Sequence, residues 1–278
     1  MKRRDFLKTA GTVSCAVGTA ATAGTMTQQS ALANELPKGK AFIELRVFTC
    51  ANAEKKQKLI EIFDAALIPA LNRQGIKPVG LFETSAELND GDKNYDKAND
   101  LKVFLVTQFT TTNQLLQVIP KLLADDTYLK DASPIFEAPM NDPIYDTGEA
   151  SLLLGFDHFP RIEVPSLEKD RVLQIRLYNS YNIERNARKI EMFDVGGEIA
   201  LFKKFGMAPV FYGETLAGRM TPNLTYMLSF KNIDEKIANW QKFATSSEWK
   251  KLSGDPLYKN TANKILNILL KPTPKSQI

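Results

Sequence analysis

An α+β protein made of two tandem βαββαβ units is the fold class that three features of this 278-residue chain predict. The first is self-similarity. Leu45-Arg46 recurs as Ile175-Arg176, Phe48 as Tyr178 and Phe63-Asp64 as Phe193-Asp194, each 130 residues on. Gly75, Pro78-Val79 and Glu83-Thr84 recur as Gly206, Pro209-Val210 and Glu214-Thr215 at 131, and Phe109 and Tyr128 as Phe230 and Trp249 at 121. The drop of ten is one polar loop, from residue 85 to about 100, shortened to residues 216–223 in the second copy. The second feature is a change of hydrophobic period, from two in the strands to 3.6 in the helices, in the same order in both copies. The third is a glycine, Gly75 or Gly206, where each first helix stops.

Taken from the start, the chain opens on a leader rather than on the first copy. Lys2, Arg3, Arg4 and Lys8 precede a weakly apolar stretch over residues 9–23, which closes on Ala31-Leu32-Ala33, a small-residue cleavage site. The arginine pair followed by Phe6-Leu7-Lys8 resembles a twin-arginine export signal, a receptor-read address, with Lys2 where that signal usually carries Ser or Thr. Residues 1–33 are therefore expected to be a signal peptide, and the remainder a periplasmic or secreted protein with no stable membrane insertion after cleavage. An uncleaved membrane helix fits less well, because the stretch falls short of the roughly 18–20 apolar residues a span needs. A lipid anchor at Cys15 fits less well again, with Thr12 where a large apolar residue is wanted.

The first copy covers residues 41–156. Its opening strand, 42–49, alternates β-branched and aromatic residues with polar ones. A helix over residues 53–73 follows, with Leu59, Ile62, Phe63, Ala66, Ala70 and Leu71 on one stripe. Strands 77–84 and 102–110 form a hairpin, then come a helix (113–123), a short turn and a last strand (151–156). Residues 157–171, with Pro160 and Pro165, link the copies. The second copy, 172–271, repeats the order with strand 172–179, a helix burying Ile183, Ala187, Ile190, Phe193, Gly197 and Leu201, a hairpin of 208–215 with 224–230, helix 233–243 and strand 265–270. Gly196-Gly197 falls inside the helical stretch, where glycine costs about 1 kcal/mol relative to Ala, so close packing or a kink is expected. This order is the ferredoxin-like motif.

Composition excludes several functions. Without the leader, 32 basic residues face 31 acidic ones, and no basic stripe points to nucleic acid. Cys50 is the one cysteine outside the leader, so no internal disulfide can form, and a single buried thiol is expected.

In this motif the helices cover one sheet face, and the other is left for a chamber. Alternation places Ile43, Leu45 and Val47 under the helices and Phe42, Glu44, Arg46 and Phe48 on the chamber side. In the second copy the chamber face carries Val172, Gln174, Arg176 and Tyr178. For the hairpins, Val210/Tyr212/Glu214 and Leu224/Tyr226/Leu228 are the mixed sets, with the face left open. Arginine and glutamate among aromatics are what a sheet-on-sheet chamber with a few polar groups would show. Buried arginines need partners, and Glu44 for Arg46 and Glu214 for Arg176 are the candidates. The plainer reading is that both arginines brace two sheets through structural salt bridges, since a scaffold role would be repeated in both copies.

The strand FIELRVFT, the helix end LNRQGIKPVGLFET, the run MFDVGGEIALFKKFGMAPVFYGETLAGRMTPNLTYMLSF and the later SSEWKKLSGDPLY together resemble the NIPSNAP family, over about residues 41–270. That resemblance implies a dimeric α/β-barrel fold, closed between chains or between the repeats of one chain. It implies no assigned activity, and proteins sharing the fold include cofactor-free monooxygenases and haem enzymes.

The chemistry on offer is sparse. One histidine and one cysteine outside the leader exclude His-built zinc and iron sites. No cofactor is expected; the alternative is haem on His158, the single axial candidate, although a linker histidine between Phe156 and Phe159 suits a structural role. No phosphate loop, nucleophile elbow or dinucleotide fingerprint is present. Two functional readings follow. In one, a small organic molecule enters the chamber, Arg46 or Arg176 holds an anionic oxygen, and Tyr178, Tyr212 or Tyr226 donates a proton, as in a cofactor-free oxygenase or isomerase. In the other, the barrel is filled by its own side chains and the protein is a non-catalytic interaction or scaffold module.

Overall fold

A computed structural model of the protein describes Leu36 and residues 39–278. The expected export signal over residues 1–33 lies outside them. The elements, in chain order, are β1 (Phe42–Thr49), helix α1 (residues 53–73), β2 (Gly80–Glu83), β3 (Lys102–Phe109), α2 (Thr112–Leu123), α3 (Asp126–Asp131), α4 (Ser133–Phe136) and β4 (Thr147–Gly155). The second half follows with β5 (Val172–Asn179), α5 (Ile183–Asp194), α6 (Glu198–Lys204), β6 (Ala208–Ala217), β7 (Asn223–Phe230), α7 (Ile233–Thr245), α8 (Ser247–Ser253) and β8 (Lys264–Pro272). The helices α3, α4 and α8 occupy what the sequence reads as short turns.

Local chemistry accounts for the helix limits. Asn52, Asn182 and Asn232 each accept the backbone N–H three residues on at 2.9 Å, capping α1, α5 and α7 alike. Gly75 and Gly206 both stand at φ +76, the left-handed turn that ends α1 and α6. Within α1, Pro69 has no N–H to give Ala65, and the helix widens into a π turn over Phe63–Leu67 just before it. The duplicated helix is not continuous in the second half. It breaks between α5 and α6, where Gly197 adopts φ +102 and a Cβ on Gly196 would lie 2.9 Å from the Tyr258 hydroxyl.

The eight strands close one antiparallel barrel within the single chain, in the order β1-β3-β2-β8-β5-β7-β6-β4. Each half contributes four strands, and the halves meet at two seams, β4–β6 and β2–β8. The second seam is short: only Phe82↔Pro272 and Glu83↔Lys271 pair. Beyond them the loop after β2 takes over, and Asn89 serves as a strand surrogate, its Oδ1 accepting from Leu269 N–H at 2.8 Å. Residues 273–278 continue along β2 instead of trailing away, with Gln277 N–H donating to Val79 and Thr273 N–H to Leu81, both at 2.9 Å. They bring Ile278 into the barrel interior.

The sheet faces are the reverse of the alternation-based assignment. Ile43, Leu45 and Val47 point into the barrel, with Phe82, Phe104, Val106, Ile175, Phe211 and Met227. Phe42 and Phe48 pack instead under the first-half helices with Leu59, Phe63 and Leu71. Likewise Tyr178, Tyr212, Leu224, Tyr226 and Leu228 lie under α5, α6 and α7. The cause is closure: a small barrel is filled by its own inward side chains, and most of the large apolar residues of the strands go there, with a few small polar ones such as Thr225 and Ser229. The helix side tolerates charge because the helices leave part of the outer surface uncovered. A bulge between Pro209 and Phe211 turns Val210 inward beside Phe211, so Val210 does not share a face with Tyr212.

Candidate functional site

A chamber of about 890 Å³ opens where β8 has no strand partner on its β2 side. On its inner side stand Leu45, Val47, Phe104, Ile175 and Ile268 from the barrel interior; on its outer side stand Arg176, Trp240, Lys236, Asn267 and the loop residues Asp92 and Tyr95. The long loop is what makes the chamber. Tyr95 is fixed by donating to Asp100 Oδ1 at 2.7 Å. A relay then ties the loop to helix and sheet: Trp240 Nε1 donates to Gln174 Oε1 at 2.6 Å, Gln174 Nε2 to Asn267 Oδ1 at 2.6 Å, and Asn267 Nδ2 to Asp92 Oδ2 at 2.9 Å.

Arg176 is the cation of this wall. Its Cζ lies 4.7 Å from the Trp240 ring centroid and 5.2 Å from that of Tyr178. Its Nε is buried and has no hydrogen-bond partner among the described residues. Burial alone would lower its pKa, but Tyr226, Tyr178 and Glu198 more than offset this, so the guanidinium stays firmly charged. Lys236 lines the same chamber. Its pKa is pulled down, first by burial and then by the Arg176 charge, with Asp92 opposing. Arg176 and Lys236 share the chamber wall with Lys102, Arg219 and Lys264 and with the carboxylates Asp92, Asp96 and Glu149, and an anion placed between Arg176 and Lys236 would relieve their mutual repulsion.

Behind Arg176 lies a buried ion pair that the sequence reading missed. Lys189 Nζ and Glu198 Oε2 are 3.1 Å apart, with the residues 5% and 1% exposed. Burial raises the Glu198 pKa, against the pull of Lys189 and Arg176. The partner foreseen for Arg176 was Glu214, but that residue is exposed and reaches only Asn186, at 3.5 Å. Glu198 is the carboxylate acting on Arg176, and it is already bonded to Lys189. It comes from the helix break at Gly197, a feature of helix tertiary placement that strand alternation cannot report.

Tyr178, Tyr212 and Tyr226 are brought together, but beneath the helices and outside the chamber lining. Tyr226 stacks between the other two, with centroids 5.7 Å from Tyr178 and 5.5 Å from Tyr212. Tyr226 and Tyr178 hydroxyls are 3.4 Å apart, and the Tyr212 hydroxyl is buried with no hydrogen-bond partner among the described residues. Burial drives the pKa of both Tyr212 and Tyr226 well above the phenol range. Tyr178 and Tyr226 lie against Arg176, and none of the three tyrosines lines the chamber.

Glu44 and Arg46 do pair, at 2.8 Å, as expected. They sit under the first-half helices and line a separate cavity of about 160 Å³. His158, the residue through which haem would attach, is 68% exposed with Nδ1 3.2 Å from Asp194 Oδ1. It lines neither cavity, so the residues around it do not fit a haem ligand. Among the described residues no group of three or more His, Cys, Asp or Glu side chains could hold a metal ion, and no helix is long and apolar enough to cross a membrane.

Residues 173–277 match the NIPSNAP family model. No curated protein matches the chain. Among solved structures the chain is similar to a candidate monooxygenase of Fusobacterium nucleatum, at 11% identity and TM-score 0.52, over 84% of this chain and 93% of that one. It is similar to another candidate monooxygenase, from Lactobacillus acidophilus, at 6% identity and TM-score 0.52, over 84% and 94%. An uncharacterised NIPSNAP-like domain protein of Burkholderia xenovorans aligns at 15% identity and TM-score 0.35, over 40% of this chain and 92% of that one. The two likenesses that cover 84% of the chain show the fold alone: a mixed α/β fold with a closed eight-stranded antiparallel barrel.

Proposed function

We propose that this protein is exported and binds a small organic anion in the 890 Å³ chamber, with Arg176 and Lys236 as anchors and Trp240 as the apolar wall. The observation that carries the reading is Arg176: a largely buried guanidinium on a cavity wall, whose nearby carboxylate, Glu198, is committed to Lys189. The chamber volume falls within the roughly 300–1,000 Å³ usual for small-molecule sites. A planar guanidinium there would stabilise an enolate or carboxylate oxygen without moving. Oxygenation or isomerisation of such an anion, with no resident cofactor, is the reaction class this supports. The two barrel neighbours described as candidate monooxygenases make oxygen uptake the first activity to assay. The Arg3-Arg4 leader supports export of the protein by the twin-arginine route.

The test is calorimetric titration of the processed protein with 2-naphthoate and its neutral isostere 2-naphthamide. Binding of the acid alone, weakened at least tenfold in an Arg176→Ala variant that still unfolds in one cooperative transition, supports the reading. Equal affinity for both compounds, or no binding of either, overturns it.

The interaction-module reading rests on one observation. Along α2, Leu116, Ile119 and Leu123 are 66%, 45% and 59% exposed, a solvent-facing apolar stripe. Its occupant would be a second copy of the chain. A homodimer that Leu116→Lys with Leu123→Lys dissolves, in a protein that fails both naphthyl titrations, would favour that reading.

A further inference from the structure

We propose a second small-molecule site in the first half of the chain: the 160 Å³ cavity beneath α1 and α2 takes a single aromatic ring bearing a hydroxyl, a ligand of the phenol class. Its walls are apolar and largely aromatic, with Phe48, Phe63, Phe109 and Tyr128 among them. An apolar cavity of about 150 Å³ is enough for a benzene ring. One corner is polar. Thr107 lines the cavity at 2% exposure, and its hydroxyl has no hydrogen-bond partner among the described residues. Directly across the β1–β3 ladder from Thr107 is Glu44, whose Oε1 is held by Arg46 at 2.8 Å. A ring hydroxyl placed there would donate to the Glu44 carboxylate and accept from Thr107. That would satisfy a buried group that otherwise carries its desolvation uncompensated.

The duplication shows what is distinctive about this place. The repeat spacing of 121 aligns Leu105 with Tyr226, Thr107 with Leu228 and Ile119 with Trp240. In the second half those positions close the same space: Tyr226 is fully buried among Tyr178, Phe193 and Phe202, and Trp240 lies over Arg176. In the first half the smaller Leu105 and Ile119 leave it open, with Ile119 and Phe136 half exposed at its mouth. One copy keeps a cavity with a polar corner where the other has filled it.

Ligand-observed NMR titration of phenol and toluene against the processed protein tests this. Phenol is expected to bind about tenfold more tightly than toluene. Thr107→Val should remove that preference while leaving toluene binding intact. Val118→Phe, which fills the cavity, should abolish both. Ile119→Trp, at the exposed mouth and copying the second half, does the same should the core variant not fold. Arg176→Ala should leave phenol binding unchanged, so failure of the chamber reading and failure of this one are distinguishable. No binding of either compound, equal binding of both, or phenol binding indifferent to Val118→Phe and Ile119→Trp would overturn the proposal.

Discussion

Arg176 and Trp240 meet cation to ring at 4.7 Å, and the same indole donates its N–H to Gln174 two residues before the arginine. One side chain of α7 therefore fixes both a charge and the start of the relay that runs through Asn267 to the loop residue Asp92. Trp240→Leu keeps an apolar side chain but removes both contacts together with part of the ring packing on Phe202 and Phe243. We expect a stability loss of about 1–3 kcal/mol in urea melts, a cation–π contact and a hydrogen bond combined. Naphthoate affinity should fall as well, because Trp240 lines the chamber and its N–H is already committed to Gln174.

Lys189 and Glu198 form the most deeply buried ion pair among the described residues. Removing one partner strands a charge, and removing both does not. Lys189→Met should cost about 3–5 kcal/mol, while Lys189→Met combined with Glu198→Leu should recover most of that loss. Equilibrium denaturation of the two variants beside the parent protein decides it, and additive losses would contradict the pairing.

Cys50 is 1% exposed, and burial, helped by Asp146, pushes its thiol pKa up to about 11. The thiolate fraction at pH 8 is then negligible. Iodoacetamide at that pH should leave the folded protein lacking residues 1–33, and so Cys15, unlabelled for hours and label it at once in guanidinium. Rapid labelling of the native state would show that the strand end at Thr49 opens locally.

Asp125 caps α3 through the Tyr128 N–H and also receives Arg73, and in that order these hold its carboxyl below the usual range. A lowered folded-state pKa means stability that is fully present above the unfolded value of about 3.9 and is lost as pH falls through the lower folded value. Asp125→Asn keeps the cap acceptor and removes the charge. The melting temperature of the variant should lie below that of the parent protein from neutral pH down to about 4, and the gap should close in stronger acid.

Periodicity alone places strands Phe42–Thr49 and Val172–Asn179 at their observed limits, because an alternating strand and a capped helix are written in adjacent residues. Which set of alternating residues faces inward is written nowhere local. Ile43-Leu45-Val47 suits a helix-covered face and a closed interior equally well, and closure chose the interior. The arginines were legible as features needing explanation, and the Glu44–Arg46 contact follows from their being two apart on one strand. Lys189, Glu198, Lys236 and Trp240 were not legible as site residues. They sit on helices whose docking angle and break at Gly197 bring them to the sheet. The one signal that could have found the chamber is the length of the loop after β2, since long polar insertions usually do something.

Because both halves of the barrel belong to one polypeptide, a substitution in one half is not copied into the other. In a two-fold homodimer every change to a pocket is made twice, so a residue that improves one mouth must be tolerated at its mirror image. Here Ile119 and Trp240, at equivalent positions of the two copies, differ in outcome: an open pocket on one side and a roofed arginine on the other. Held in one chain, each unit is free of the obligation to resemble the other, and a single frame holds two dissimilar cavities.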